Sequence, residues 1–439
     1  MGKHVIKKDQ NTAVEVTEGN SEWLLKKGVV LSGSGGFANP DWDHVRFSIQ
    51  GKIQSTDDGI ISPSFGDATD DVTVTISSSG AIESTDIGIS VYGEGTVVEN
   101  AGRIRAGGIG AQLTGDNTVV RNSGRIISDG NTAVLLDQAD NFLVKNEGLL
   151  RGGGINATVG AYSGNGRLIN GETGVIDGYI HFESNVGKVN LVNKGKVIGQ
   201  NPFDQVAVRL GDGDDHLLNR GTINGAIDVG GGDDTVDLRA GKFVNAPVFG
   251  GEGDDIFIID KAGVSISETS DEGYDTIKTT VSFTLGNTSD FDIEVLQAIG
   301  KKAVNLTGND QTNGLNGNAA NNKLIGGGGI DILWGLGGND VLTGGLGDAD
   351  LFYFGTKSGV DTITDFTIDE DEIRLIKIPG INDFDDLANR MTTADFNNDN
   401  VDDTIINLGH GNKIRLAGID KGTLDADDFY ISPLPADPA

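Results

Sequence analysis

From Ile325 to Phe354 the chain repeats one nine-residue unit almost in tandem. The text reads Ile325-Gly-Gly-Gly-Gly-Ile-Asp-Ile-Leu-Trp334, then Gly335-Leu-Gly-Gly-Asn-Asp-Val-Leu-Thr343, then Gly344-Gly-Leu-Gly-Asp-Ala-Asp-Leu-Phe-Tyr-Phe354. The unit is Gly-Gly-x-Gly-x-Asp-x-U-x, with U apolar. Its aspartates are Asp331, Asp340 and Asp350, 9 and then 10 residues apart, and Asn322 stands in the same phase upstream. Self-similarity at this period marks a parallel β-helix whose turns bind calcium. Glycine lets backbone carbonyls crowd around a cation, and a carboxylate closes the shell with a hard anionic oxygen. The x-U-x triplet is a short strand that sends its apolar residue into a thin core.

The same turn recurs upstream at a wider interval. Leu210-Gly-Asp-Gly-Asp-Asp-His-Leu-Leu218, Val229-Gly-Gly-Gly-Asp-Asp-Thr-Val236 and Gly250-Gly-Glu-Gly-Asp-Asp-Ile-Phe257 place Asp215, Asp234 and Asp255 19 and 21 residues apart, and Asp275 follows 20 further on. That interval is a whole coil, so calcium turns are expected on one edge here, with ions in the gaps 215/234, 234/255 and 255/275. In the 322–350 tract the period of nine puts turns on both edges. The expected ligands are Asp215, Asp234, Asp255, Asp275, Asp331, Asp340, Asp350 and Asp361. Carbonyls of Gly211, Gly213, Gly230, Gly232, Gly251, Gly253, Gly326, Gly328, Gly335 and Gly337 complete the shells. Leu210 and Val229 replace the first glycine of their units, Leu336 the second, and Asn322 the aspartate. A separate acidic run sets Asp395, Asn397, Asp399 and Asp403 at positions 1, 3, 5 and 9 of an EF-hand-like loop. It has Asn400 where that loop needs glycine and Ile406 where it needs glutamate; a solvated acidic turn is the alternative.

The N-terminal half carries a second, longer repeat. Val97-Val-Glu-Asn-Ala-Gly-Arg-Ile104 returns as Val119-Val-Arg-Asn-Ser-Gly-Arg-Ile126 and Leu143-Val-Lys-Asn-Glu-Gly-Leu-Leu150, and in shorter form at 191–197 and 218–223. The phase glycines run from Gly51 to Gly241 at intervals of 20 to 29 residues, each followed two residues later by an apolar residue. A period near 22 fits one coil of a solenoid with two or three short strands. Stacked coils would align Asn100, Asn122, Asn146, Asn193 and Asn219 as an amide ladder. A β-sandwich is the alternative, but sandwiches have no reason to repeat Asn-x-Gly in one phase. Only Glu22–Lys27 and Phe384–Met391 read as short helices.

Acidic residues number 65 against 33 basic ones, a net charge of −32, which opposes nucleic-acid binding and repels the compact state until cations neutralise it. With no cysteine, disulfides cannot hold the fold, and bound metal is the natural substitute. No run of 18 apolar residues is present, so no membrane-spanning helix is expected. The N-terminus lacks the apolar stretch of a signal peptide.

These repeats resemble those of the repeats-in-toxin (RTX) family of secreted bacterial calcium-binding proteins. Ser358–Phe366 and the segment Asp369–Tyr430 resemble the C-terminal region of serralysin-type proteases. The resemblance implies an all-β fold, a right-handed parallel β-solenoid continuing into an RTX β-roll with several bound Ca²⁺ ions. It also implies type I secretion machinery as a partner, export without an N-terminal signal, and an extracellular or cell-surface location. The expected organisation is an N-terminal cap with Trp23, Phe37 and Trp42 (1–46), an Asn-x-Gly solenoid (47–204), coils with one-edge calcium turns (205–304), the β-roll (305–366), and a C-terminal β cap with the secretion region (367–439).

The repeat serves toxins, proteases, lipases, adhesins and surface-layer proteins alike, so activity must be read from sites. The histidines at 4, 44, 181, 216 and 410 form no His-Glu-x-x-His pair, and Gly-x-Ser-x-Gly does not occur. A structural role follows: a surface-layer, biofilm-matrix or adhesin protein that self-associates or meets a matrix polysaccharide. The alternative is a polysaccharide lyase, epimerase or lectin on a β-helix face, where Tyr179, His181 and Arg209 are residues of the right kind.

Overall fold

The structure, a computed structural model, describes residues 2–432 apart from 16–19, 35, 39–43, 63–70, 154–156, 200, 245, 269–272, 287–291 and 346–348. Trp42 therefore lies outside the described residues. The chain divides into two compact units, 1–253 with 264–266, and 254–263 with 267–439. The fold is nearly all β, about 15 turns of parallel β-solenoid in total.

In the first unit each coil is three-sided. A strand ending in the repeat asparagine (Val97–Asn100, Val119–Asn122, Phe142–Asn146) is followed by a second (Arg103–Ala106, Arg125–Ser128, Leu149–Arg151) and a third (Ala111–Thr114, Val134–Asp137, Val159–Ala161). Each pairs in parallel with its equivalent one coil away. The apolar residues two places after the phase glycines form one unbroken column: Ile53, Ile82, Ile104, Ile126, Leu150, Ile176, Val197, Ile223 and Phe243. The glycine itself is demanded by crowding, since a Cβ on Gly124 would collide with the carbonyl of Gly102, and one on Gly148 with that of Gly124.

The described strands ahead of 47 are wound in the same way. Gly2–Ile6 pairs in parallel with Ser21–Leu25, which pairs with Arg46–Ile49. The helix expected at Glu22–Lys27 is thus a strand. Backbone partners on both sides override local propensity, with Trp23 stacked on His4 at 4.1 Å and Phe37 packed 4.9 Å from Phe47.

The second unit is two-sided through its repeat tract, with a core one side chain deep on each face. Leu296, Leu315, Leu333, Phe352 and Ile373 align on one sheet, and Leu306, Leu324, Leu342, Ile363 and Leu416 on the other, all essentially buried. Leu324, Leu333, Leu342 and Phe352 are the U positions of the nonapeptides. The parallel stack gives way to antiparallel pairing where Met391–Ala394, Asp403–Gly409 and Asn412–Leu416 meet. The helix read at Phe384–Met391 is present but shorter, Phe384–Ala388, capped by the Asp383 carboxylate on the Asp386 N–H at 2.9 Å.

Candidate metal centre

Each nonapeptide turn ends on its aspartate just before a strand begins, so the parallel register that stacks the strands also stacks the carboxylates. On one edge of the roll Asp331 accepts from the backbone N–H of Asn313 (2.8 Å), Asp350 from that of Asp331 (2.8 Å) and Asp371 from that of Asp350 (2.9 Å). On the other edge Asp340 accepts from Asn322 (2.7 Å) and Asp361 from Asp340 (2.9 Å). The result is two ladders, each carboxylate fastened by one oxygen, Oδ1, to the coil before it.

The second oxygen points into the turn. Oδ2 of Asp331 lies against the Cα of Gly326, that of Asp340 against Gly335, and that of Asp350 against Gly344, so closely that a Cβ at any of these glycines would overlap it. Asp331, Asp340 and Asp361 are at most 1% exposed. Oδ2 of Asp340 is buried and has no hydrogen-bond donor. Burial pushes the Asp340 carboxyl up to about 7 against the opposing pull of the Asn322 N–H, and the Asp361 carboxyl up to about 8. A buried carboxylate oxygen with no donor, inside a turn of close-packed glycines, fits a hard divalent cation. The aspartates and turn carbonyls present are of the donor type calcium takes.

The wider-spaced turns follow the same rule. In the first unit Asp215 accepts from Val189 N–H and Asp234 from Asp215 N–H, each at 2.6 Å. Burial raises Asp215 to about 7 against the pull of the Val189 and Gly211 N–H groups and of Lys188. Both turns occupy the same corner of successive coils, as the spacing predicts. Among the turn glycines, the carbonyl of Gly211 also accepts from Gly231 N–H at 3.2 Å, while Gly230, Gly232, Gly251 and Gly253 all have positive φ. In the second unit Asp275 accepts from Asp255 N–H at 2.8 Å and is pushed up to about 7, chiefly by burial.

Some members of these ladders carry no repeat signature. Glu294 receives the N–H of Asp275 at 2.5 Å, in a segment with no Gly-Asp turn. Asp371 closes its ladder with both oxygens used, by Asp350 and by Thr367 N–H at 2.8 Å. Asp365 binds the N–H groups of Gly344 and Gly345 at 3.0 Å each. Asn313 and Asn322 take the aspartate position but donate from Nδ2 to the carbonyls of Ile293 (2.9 Å) and Val304 (2.6 Å).

The acidic loop at 395–403 divides. Asp395, Asn397 and Asp399 stay together and exposed, accepting from one another's loop amides at 2.8–3.2 Å. Asp403 is fully buried at the start of its strand, and its two oxygens accept from Phe396 and Gly418 N–H at 2.8 Å each. A cluster absent from the sequence reading is Asp57, Asp58 and Asp86 in the first unit, whose carboxylate oxygens lie within 4.8 Å of one another. The repeated Ser-Thr-Asp of 55–57 and 84–86 was its trace in the sequence.

Residues 316–351 match the family model of the RTX calcium-binding nonapeptide repeat, in four copies. A search of curated proteins finds no match to the chain. The fold and turns define a β-solenoid protein with calcium-binding repeats. The repeats within 316–351 are RTX nonapeptides, and the glycine–aspartate turns of Asp331, Asp340 and Asp350 are their three-dimensional form. No helix among the described residues is long and apolar enough to cross a membrane.

Proposed function

We propose that this is a secreted structural protein that folds when it meets external calcium and then self-assembles or adheres at the bacterial surface. The observation that carries the reading is the pair of aspartate ladders, in which Asp331, Asp340 and Asp350 are each fixed by one oxygen while the other faces a glycine turn. Asp215, Asp234, Asp255, Asp275, Asp331, Asp340, Asp350 and Asp361 supply the anionic oxygens in this reading, and carbonyls of the turn glycines complete each shell. Without calcium, these buried charges and a net charge of −32 favour the unfolded chain. Type I export, which RTX repeats suggest, would use that extended form. Millimolar calcium outside binds only the folded turns and shifts the balance by mass action.

A structural role rather than a catalytic one is supported by how the polar faces are used. Arg209, singled out with Tyr179 and His181, is neutralised by Asp204 at 3.0 Å and Asp228 at 2.8 Å. The test is electron microscopy of purified protein before and after calcium addition, with a calcium-loaded sample held in chelator as control. Ordered sheets or fibres that appear with calcium and vanish with chelation are expected. Monodisperse particles under both conditions would sink self-assembly.

A further inference from the structure

Trp334-Gly-Leu336-Gly departs from the nonapeptide at one place. Leu336 stands where the repeat has its second glycine and keeps a left-handed backbone, φ 67°. A side chain there strains the backbone, and at 38% exposed Leu336 recovers little of that cost by burial. It walls an open cleft of about 650 Å³ together with Trp334, Ile376, Thr356, Lys357 and Lys377. Elsewhere lysines pair with acids, as Lys3, Lys52 and Lys145 do. The two at this cleft are not among them, in a chain with twice as many acids as bases.

Trp334 also begins a row of flat groups, one per coil, on the outer face of its sheet. Its ring lies 6.0 Å from that of Tyr353 with 34° between planes. The Arg374 guanidinium is 5.6 Å from the Tyr353 centroid and 5.4 Å from that of Tyr430. The parallel register places Tyr353, Arg374 and Tyr430 directly across from one another.

We infer that this cleft and row bind a linear carboxylated polysaccharide. A polymer of rings presents repeated apolar CH faces, which match a row of π faces spaced one coil apart. Carboxylates on such a chain match two un-neutralised lysines, and Thr356 adds a hydroxyl for orientation. An acidic peptide would satisfy the lysines but has no succession of flat rings. The inference rests on the proposed function only for where the ligand is met; the binding chemistry stands apart from it.

The test titrates the calcium-saturated full chain with a galacturonate hexamer and with a neutral glucose hexamer, by calorimetry and by tryptophan emission. Circular dichroism with and without calcium is recorded on the same samples. Saturable binding of the uronate hexamer with a shift in emission is expected, and no binding of the neutral one. Lys357→Glu with Lys377→Glu should weaken binding by about tenfold or more. Leu336→Gly, which restores the repeat and relieves the backbone, should weaken it by about threefold while leaving the calcium-induced spectrum unchanged. Equal affinity for the neutral hexamer, no saturable binding, or unchanged affinity in either variant overturns the assignment. Uronate binding by a protein whose spectrum ignores calcium would instead sink the calcium-folding reading and leave this one standing.

Discussion

A column of buried asparagines runs through the first unit and two columns of buried aspartates through the second, and the pairs of side chains differ by little more than NH₂ for O⁻. In the asparagine column Nδ2 of Asn100 donates to Oδ1 of Asn122 (2.8 Å), and the link repeats through Asn146, Asn170, Asn193 and Asn219 at 2.8–2.9 Å. The other amide hydrogen reaches a backbone carbonyl, as from Asn122 to Leu149 at 3.2 Å, while Oδ1 also takes a glycine N–H, as from Gly148 to Asn146 at 3.2 Å. An amide both donates and accepts, so identical side chains can satisfy one another along a stack. A carboxylate only accepts. The aspartate columns borrow backbone N–H groups for one oxygen, and the proposed function gives a second oxygen, such as Oδ2 of Asp340, to a cation. One chemistry makes a self-sufficient solenoid; the other, on the proposed function, makes a solenoid conditional on metal. The second unit contains its own control, because Asn313 and Asn322 fill the aspartate position and turn Nδ2 onto carbonyls of Ile293 and Val304.

The sharpest way to break this contrast is to remove calcium. Excess EDTA should sharply lower amide protection across residues 305–365, while 97–204 stays protected. Hydrogen exchange read by mass spectrometry resolves the two stretches. Equal protection of both in EDTA would mean that the aspartate columns need no metal.

Much of this was written in the repeats. Spacing alone places the coil length, the column from Ile53 to Phe243 and five of the six ladder asparagines, because stacked equivalent residues must recur at the coil period. Asn170 escaped because its phase glycine, Gly174, comes four residues later instead of two, after Gly171-Glu-Thr. The register absorbs that insertion in the turn and still pairs Asn146 with Asn170. Glu294, Asp365 and Asp371 were illegible for a different reason. Glu294 and Asp371 end a ladder, and Asp365 holds a glycine turn, all from outside the repeat, so only the fold brings them there. Glu22–Lys27 misled because a strand with neighbours on both sides needs no strand-like sequence of its own.

Next in size is Asn146→Asp, which puts an acceptor where the ladder needs a donor and sets a charge in a site with no exposure. The Asn170 Oδ1 and the Val175 carbonyl both lose their partner. A loss of about 3–5 kcal/mol is expected, the same with and without calcium, measured by urea unfolding. A loss that calcium restores would show that the asparagine column can hold a cation as well.

The pH dependence separates the columns more gently. Asp275, Asp340 and Asp361 sit near 7, 7 and 8 when folded without metal, against 3.8 ordinarily, mainly through burial. Below about pH 4 both folded and unfolded chains carry the proton, and this part of the stability is fully present. As pH rises to 8 the unfolded chain ionises freely, the folded one resists, and the stability is lost across that window. In EDTA the unfolding midpoint of the second unit should therefore climb as pH falls from 8 to 5. At saturating calcium the trend should reverse, since protons compete with the cation for the same oxygens. A midpoint that is flat with pH in EDTA would mean these carboxyls are not buried in the metal-free fold.

The smallest and most diagnostic change is Asp340→Asn. It keeps the shape of the rung and the bond from Asn322 N–H, and turns an oxygen without a donor into an NH₂ group beside the carbonyls of the glycine turn. Asn313 and Asn322 already show how an amide in that place finds a carbonyl on the preceding coil. The metal-free second unit should gain about 1–2 kcal/mol, the size of a buried charge removed and a hydrogen bond made. The calcium-loaded form should lose affinity, because one anionic ligand is gone. The two effects oppose each other, so the gap between midpoints with and without calcium should narrow even if neither midpoint moves far. Narrowing with both forms folded would make the asparagine and aspartate columns two settings of one device. A uniform loss in both forms would instead assign Asp340 a packing role that no exchange of donor for charge can replace.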